Sequence, residues 1–187
     1  MNKLYRILDD LSIEDRWYLR APETEDGREL DARDFLSCHR YDGPTPLQVR
    51  LRRTGAPLQF TFGDFDMPVV SHEVRDALER NSQDFVQFIP TAIEGTSEAY
   101  WILQVLQYRK CVDEQHSEFM RWTSEDGRPD EVGQFRMFAR LIVNEEATCD
   151  APIFRIDGWR TALIVSEGVK RALEEGGCRG IRFEPVS

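Results

Sequence analysis

The chain has 187 residues, of which 34 are acidic and 24 basic, so its formal net charge is −10 at pH 7. A chain of this length can bury a core of its own, as one domain or as two small ones. The negative charge argues against a phosphate-binding surface, and nucleic acid is not expected as a partner. The chain lacks an apolar run of about 18 residues. Its first residues lead to acids rather than to an apolar signal core, so we expect a cytoplasmic protein without a membrane segment.

The residues that most often carry chemistry are scattered. The four cysteines stand singly, which argues against a zinc ribbon and gives no compact disulfide framework. The histidines lack the spacing of a metalloprotease helix, and the motifs of serine hydrolases, dinucleotide-binding folds and phosphate loops are absent. We therefore expect no cofactor, no bound metal and no catalytic residue. The residues concerned are Cys38, Cys111, Cys149, Cys178, His39, His72 and His116.

The N-terminal part begins with a short strand, predicted for residues 4–8 from their apolar character. Residues 11–41 have no sustained periodicity, and their turn-forming residues and acids predict a long, partly irregular connection. Three aromatic residues are expected to attach it to the body: Trp17, Tyr18 and Phe35. The sequence thus suggests an N-terminal segment, 1–46, followed by an α+β domain, 47–187.

Two alternating stretches, residues 47–53 and 58–62, are separated by a Thr-Gly turn signal. This pattern predicts a β-hairpin. Arg50 and Arg52 share its polar face, either exposed to solvent or paired with acids.

One stretch of the sequence occurs twice. Residues 70–79 read VSHEVRDALE and residues 165–174 read VSEGVKRALE, an offset of 95 positions without a gap. In each copy an apolar run ends at a serine, Ser71 or Ser166, which is the residue type that caps a following helix. Apolar residues then recur at three and four positions, so one helical face needs a sheet to cover. The repeat predicts a strand-helix-strand scaffold with capping serines.

The repeat divides the main domain into two related halves, about 58–110 and 150–187. Within the first half, after its helix, residues 85–93 and 100–106 predict a second hairpin, and the latter strand is apolar enough to be covered on both faces. Residues 134–144 fit a strand or a helix, and their alternation favours a strand. The expected fold class is α+β, with antiparallel and mixed sheets and two helices.

The negative charge is concentrated in two segments. Residues 21–34 have six acids and two arginines, and residues 111–131 have seven acids and two arginines. Clustered acids steer basic protein partners. Solvated acidic loops that keep the protein soluble are the alternative.

An enzyme would need an acid and a base close together. Asp64, Asp66 and His72 are the only candidates near one another in sequence, and a small hydrolase would use them. A turn that precedes the helix explains the two aspartates equally well. The nearest approach to a metal cluster is Cys111, Asp113 and His116, which lacks a second tight pair.

A set of short motifs occurs in a characteristic order from about residue 47 to the C-terminus. The motifs are Gly63-Asp64-Phe65, Pro68-Val69-Val70-Ser71, Gln87-Phe88-Ile89-Pro90, Tyr100-Trp101-Ile102-Leu103, Val112-Asp113 with Ser117-Glu118, Ile153-Phe154-Arg155, Ile164-Val165-Ser166 and Gly180-Ile181-Arg182-Phe183. In their order and spacing they resemble an immunity-protein family encoded beside bacterial polymorphic-toxin genes. The resemblance implies a cytoplasmic antidote that binds a cognate toxin domain without turnover. Toxins of such systems are often nucleases, and the resemblance leaves the kind of toxin open.

The acidic segment that follows the second hairpin is the expected toxin-binding region. A nuclease presents a basic cleft, which acids together with an aromatic anchor could cover. The residues that we expect to contact the toxin are Asp113, Glu114, Glu118, Trp122, Glu125 and Asp126. Because Asp113 belongs to the family pattern, it has an alternative role in shaping the loop. A structural or signalling module without a toxin partner is the rival interpretation, and the oligomeric state is left open.

Overall fold

A computed structural model describes residues 3–187, and it has two α-helices and three β-sheets. The helices are α1 (His72–Ser82) and α2 (Glu167–Glu175). The strands are β1 (Leu4–Asp9), β2 (Tyr18–Glu23), β3 (Leu47–Arg53), β4 (Phe60–Phe62), β5 (Pro68–Ser71), β6 (Val86–Ile93), β7 (Tyr100–Val105), β8 (Tyr108–Arg109), β9 (Glu118–Arg121), β10 (Phe135–Arg140), β11 (Ile153–Ile156), β12 (Trp159–Ser166) and β13 (Ile181–Pro185). The expected α+β class is confirmed.

The strands form a six-stranded sheet, β2-β3-β6-β7-β5-β4, and a five-stranded sheet, β13-β1-β12-β11-β8. Strands β9 and β10 form a separate two-stranded sheet. Each large sheet contains one parallel pair, β3 with β6 and β8 with β11, and its other pairs are antiparallel. Neither α-helix of the described chain is long and apolar enough to cross a membrane.

The repeated sequence folds into two equivalent units, as predicted. In the first, β5 and β6 flank β7, and in the second, β12 and β13 flank β1. The registers also correspond: Val70 pairs with Trp101, and its counterpart Val165 pairs with Tyr5. In the first unit the central strand, β7, comes after β5, α1 and β6 in the sequence. In the second unit the central strand, β1, is the first strand of the described chain and comes long before β12, α2 and β13. The N-terminal strand therefore completes the C-terminal unit.

A contact between cationic and aromatic side chains is also repeated. The Arg75 guanidinium of α1 lies 4.8 Å from the Trp101 ring centroid, and the Lys170 ammonium of α2 lies 5.2 Å from that of Tyr5. Each contact joins a helix to the central strand beneath it. Both units are thus closed by the same physical interaction.

The two units share one apolar core. It combines side chains of both helices and both large sheets, including Phe60, Val70, Leu103, Val165 and Leu173, each at most 1% exposed. Helices α1 and α2 also contact each other. Further clusters lie beneath the N-terminal segment and beside β11 and β12. The division into an N-terminal segment, 1–46, and an α+β domain, 47–187, stays a prediction.

The two serines at the helix starts act differently. The Ser166 hydroxyl accepts a hydrogen bond from the Val169 backbone N–H at 3.4 Å. Ser71 also occupies an N-cap position, but its hydroxyl donates to the Glu73 carboxylate at 2.5 Å instead of accepting from the backbone. This hydrogen bond lowers the pKa of Glu73.

The N-terminal segment is more ordered than its sequence suggests. It contains β2, which pairs with β3, and a 3-10 helix, Ala32–Leu36. Trp17 and Phe35 are 2% and 1% exposed, which confirms that they attach the segment to the body, while Tyr18 is half-buried. Pro22 and Glu23 in β2 concealed a strand that lies at the edge of its sheet, where such residues are tolerated.

The first predicted hairpin is wrong, although both of its strands exist. Strand β3 pairs with β2 and β6, and β4 pairs with β5. The segment between them does not form a hairpin turn. It contacts the N-terminal segment instead, where the Ala56 N–H donates to the Asp15 carbonyl. Arg50 and Arg52 have acid partners, Glu23 at 2.8 Å and Asp64 at 2.5 Å.

The later strand predictions are confirmed. Strands β6 and β7 form the second hairpin, and β7 is central and largely buried. Strand β10, Phe135–Arg140, confirms the strand interpretation of the ambiguous stretch.

Candidate functional site

The acidic segment and β10 form a two-stranded arm, defined here as residues 113–140. Its strands, β9 and β10, pair with each other and with no other strand of the described chain. On the inner side, Phe119 and Phe138 pack on Phe135 with ring centroids 5.0 and 4.8 Å away. Phe138 also lies 4.5 Å from the Trp159 ring at the start of β12. The arm is therefore attached to the body through an aromatic cluster.

Asp113 stabilises the loop at the base of the arm. Its carboxylate accepts from the backbone N–H groups of Gln115 and His116 and lies 2.7 Å from the His116 Nδ1 atom. The hydrogen bond with the His116 side chain lowers the pKa of Asp113. These contacts correspond to the loop-shaping alternative for Asp113.

Three other acids of the predicted contact set form ion pairs within the arm. Glu114 lies 2.7 Å from Arg121, and, in pairs between the arm's two halves, Glu118 lies 3.4 Å from Arg140 and Asp126 lies 2.7 Å from Arg136. Residues 111–140 contain seven acids and four arginines. The surface thus has mixed charge, and the sequence segment 111–131 alone overstated its acidity because two of the arginines follow it.

Trp122 lies near two arginines, and hydrogen bonds close the turn that follows it. The half-buried indole has two guanidinium groups near it, Arg136 at 4.7 Å and Arg128 at 5.3 Å from the ring centroid. Asp126 accepts from the backbone N–H and the hydroxyl of Thr123, and these hydrogen bonds lower the pKa of Asp126. Glu125 is exposed and belongs to none of the ion pairs among residues 3–187.

The outer face of the arm has an apolar pair that the sequence did not reveal. Met120 and Met137 are directly opposite each other on β9 and β10, and they are 53% and 46% exposed. The ion pair of Glu118 and Arg140 lies further along the same two strands. Alternation within 118–121 was the available signal, and the acidic character of the segment obscured it.

A groove of about 400 Å³ separates the arm from the body. Four parts of the chain line it: the 3-10 helix Ala32–Leu36, the turn at Phe65, the arm and the start of β12. The lining residues are Arg33, Leu36, Phe65, Trp122, Arg128, Asp130, Glu131, Gln134, Phe135, Arg136, Trp159, Arg160 and Thr161. Sequence reasoning considered the aspartates beside Phe65 and missed Phe65 itself.

The candidate acid and base residues are not assembled. Asp64 accepts from the Ala21 backbone N–H and pairs with Arg52, and it shares a cavity of about 280 Å³ with Asp66. His72 does not line that cavity, and its Nε2 atom lies 3.3 Å from Asp76 on α1. The geometry gives no support to the hydrolase alternative.

A metal site is likewise not formed by the residues that the structure describes, because no group of three His, Cys, Asp or Glu side chains is suitably placed. Cys111 is 2% exposed, and burial raises the pKa of its thiol to about 12. A buried, protonated thiol is a poor metal ligand.

Comparison with known families gives the class of the protein: it is an immunity protein. The model of the immunity protein family Imm11 matches residues 5–187. The chain therefore belongs to the Imm11 family of immunity proteins. No curated protein matches the chain.

Proposed function

We propose that this protein neutralises a cognate toxin of a bacterial polymorphic toxin system by binding the toxin domain in the cytoplasm. The single observation that carries the proposal is the family match, which extends over residues 5–187. The rival hydrolase interpretation has no assembled acid–base pair to support it, because His72 does not line the cavity that contains Asp64 and Asp66.

The arm is the proposed contact surface. It extends the body as a separate two-stranded sheet and presents Trp122, exposed methionines and charged residues. Aromatic residues, methionine and arginine are enriched in protein interfaces. The proposed contacts are Asp113, Glu114, Glu118, Trp122, Glu125 and Asp126, joined by Met120 and Met137.

The charge of the whole molecule supports a basic toxin, of which a nuclease is one kind. With a net charge of −10, the protein attracts a basic partner over a distance that depends on ionic strength. Several acids of the arm form ion pairs within it. We therefore expect the acids to affect mainly the orientation of the toxin and its association rate, and the apolar residues to provide most of the affinity.

A charge-reversal variant tests the arm. Substituting Glu118, Glu125 and Asp126 by lysine should weaken toxin binding by about tenfold or more and reduce the salt dependence of association. Binding is measured by calorimetry and stopped-flow mixing with the toxin domain encoded beside this gene.

A matched control reverses three acids of the helices, Glu79, Glu174 and Glu175. This set resembles the arm set because two of its members form ion pairs, with Arg75 and Lys170. The control should retain most of the affinity. Equal binding by wild type and arm variant would remove the arm from the interface.

A further inference from the structure

Phe65 has an unusual backbone conformation at the edge of the groove. Its φ and ψ angles are 56° and 35°, and the next residue, Asp66, has a φ of 59°. A non-glycine residue in this left-handed region is strained, and such strain concentrates at ligand-contacting sites. The side chain of Phe65 is also 58% exposed. The fold therefore retains a strained turn whose aromatic side chain is not needed for the core.

The surrounding contacts stabilise this turn. The Asp64 carboxylate accepts from the Ala21 N–H and from Arg52, which connects the turn to β2 and β3. The Gly63 N–H donates to the Met67 carbonyl, which closes the turn at its base. Phe65 is consequently preorganised on the groove wall, and preorganisation lowers the entropic cost of binding.

The charges of the groove fit a protein segment better than a polyanion. Two of its four arginines are already paired, Arg33 with Asp31 and Arg136 with Asp126. Arg128 and Arg160 belong to none of the ion pairs in the part of the chain that the structure describes. The lining also contains two acids, Asp130 and Glu131. Aromatic residues and arginine, both of which the lining contains, are enriched in protein interfaces.

The groove is continuous with the proposed contact surface, because Trp122 belongs to both. We infer that a protruding loop of the toxin enters the groove, places an apolar side chain against Phe65 and Trp122, and pairs its own charges with Arg160 and the acids of the arm. This inference rests on the proposed function and adds a second contact region, formed by the turn at Phe65 and the start of β12. The toxin thus contacts the arm and the body together.

Replacing Phe65 by glycine tests the inference, because glycine adopts a positive φ without strain. Phe65→Gly should retain the thermal unfolding midpoint and weaken binding of the toxin domain by about tenfold or more, measured by calorimetry. Asp66→Gly is the matched control. It relieves the neighbouring strain and keeps the phenyl ring, so its affinity should remain close to that of the wild type.

Arg160→Glu is a second variant, which alters an exposed side chain and no strained backbone. Its affinity should also fall. Unchanged affinity in both Phe65→Gly and Arg160→Glu overturns the inference while leaving the proposed function intact. A wild-type protein that does not bind the toxin domain refutes the proposed function itself. Saturable binding of ATP that Phe65→Gly abolishes would assign the groove to a nucleotide and also overturn the inference.

Discussion

Two of the largest fully buried side chains are arginines, and their surroundings differ. The Arg16 guanidinium lies 2.6 Å from Asp9 and also donates to the Asp10 carbonyl and the Thr61 hydroxyl. The Arg155 guanidinium donates through Nη1 to the Arg160 carbonyl, and within residues 3–187 its Nε and Nη2 atoms have no hydrogen-bond partner. Burial lowers the pKa of Arg155 to about 10, so it stays protonated at neutral pH.

These surroundings predict opposite effects of the same substitution. Arg155→Met removes a buried charge without an ion-pair partner, and the free energy of unfolding should stay the same or rise by up to about 3 kcal/mol. Arg16→Met leaves Asp9 and Thr61 without their donor, and it should lower that free energy by about 3 kcal/mol. Urea denaturation with unchanged m-values measures both. Equal destabilisation by the two variants would show that Arg155 is compensated as well as Arg16.

At the scale of elements, local signals predicted more than long-range ones. The repeated helices were predictable because a serine at the helix start and apolar spacing are signals that act within a few residues. The predicted pairing of β3 with β4 was wrong, because alternation identifies a strand but not the strand that pairs with it. The place of β1 between β12 and β13 depends on contacts across nearly the whole chain. No local pattern in residues 4–9 indicates that partner.

Part of the candidate site was also predictable from the sequence. Trp122 was identified as an aromatic within an acidic segment, and the strand character of residues 134–144 followed from alternation. The ion pairs of the arm were not predictable from the sequence, because Arg136 and Arg140 become partners of the acids only when β10 folds back on β9. The groove could not be foreseen, since its walls come from four separate parts of the chain.

The place of β1 gives a prediction about connectivity. The Leu4 N–H donates to the Ser187 hydroxyl at 3.0 Å, and the Val186 N–H donates to the Leu4 carbonyl at 3.0 Å. A circular permutant that joins residue 187 to residue 1 and opens the chain between Leu11 and Ser12 would give both units the same strand order. It should fold with a free energy of unfolding within about 2 kcal/mol of the wild type, because Leu4 contacts Val186 and Ser187 and chain ends that lie close together tolerate permutation.

The control permutant has the same junction but opens α1 between Asp76 and Ala77. Ala77 is 3% exposed and belongs to the shared core, so this protein should not fold cooperatively. Circular dichroism during urea denaturation distinguishes the two permutants. Failure of the first to fold would show that the covalent order of β1 and β2 is required for the second unit.

At the scale of the whole molecule, two similar units share one core, and the arm and the turn at Phe65 differ from this repeat. Repetition accounts for the scaffold, whereas the inserted arm has no counterpart in the repeat. Under the proposed function, the repeated serines and helices have a structural role and the toxin contacts lie elsewhere. The net charge of −10 extends over both parts and favours approach by a basic partner.

The proposed function is neutralisation of a toxin by binding. The most direct test is survival of a bacterium that expresses the toxin domain encoded beside this gene, with and without this protein. We predict that cells die with the toxin alone, survive with the wild-type protein, and lose protection when the arm acids and Phe65 are substituted together. Death of cells that express both wild-type proteins at equal levels would refute the proposed function.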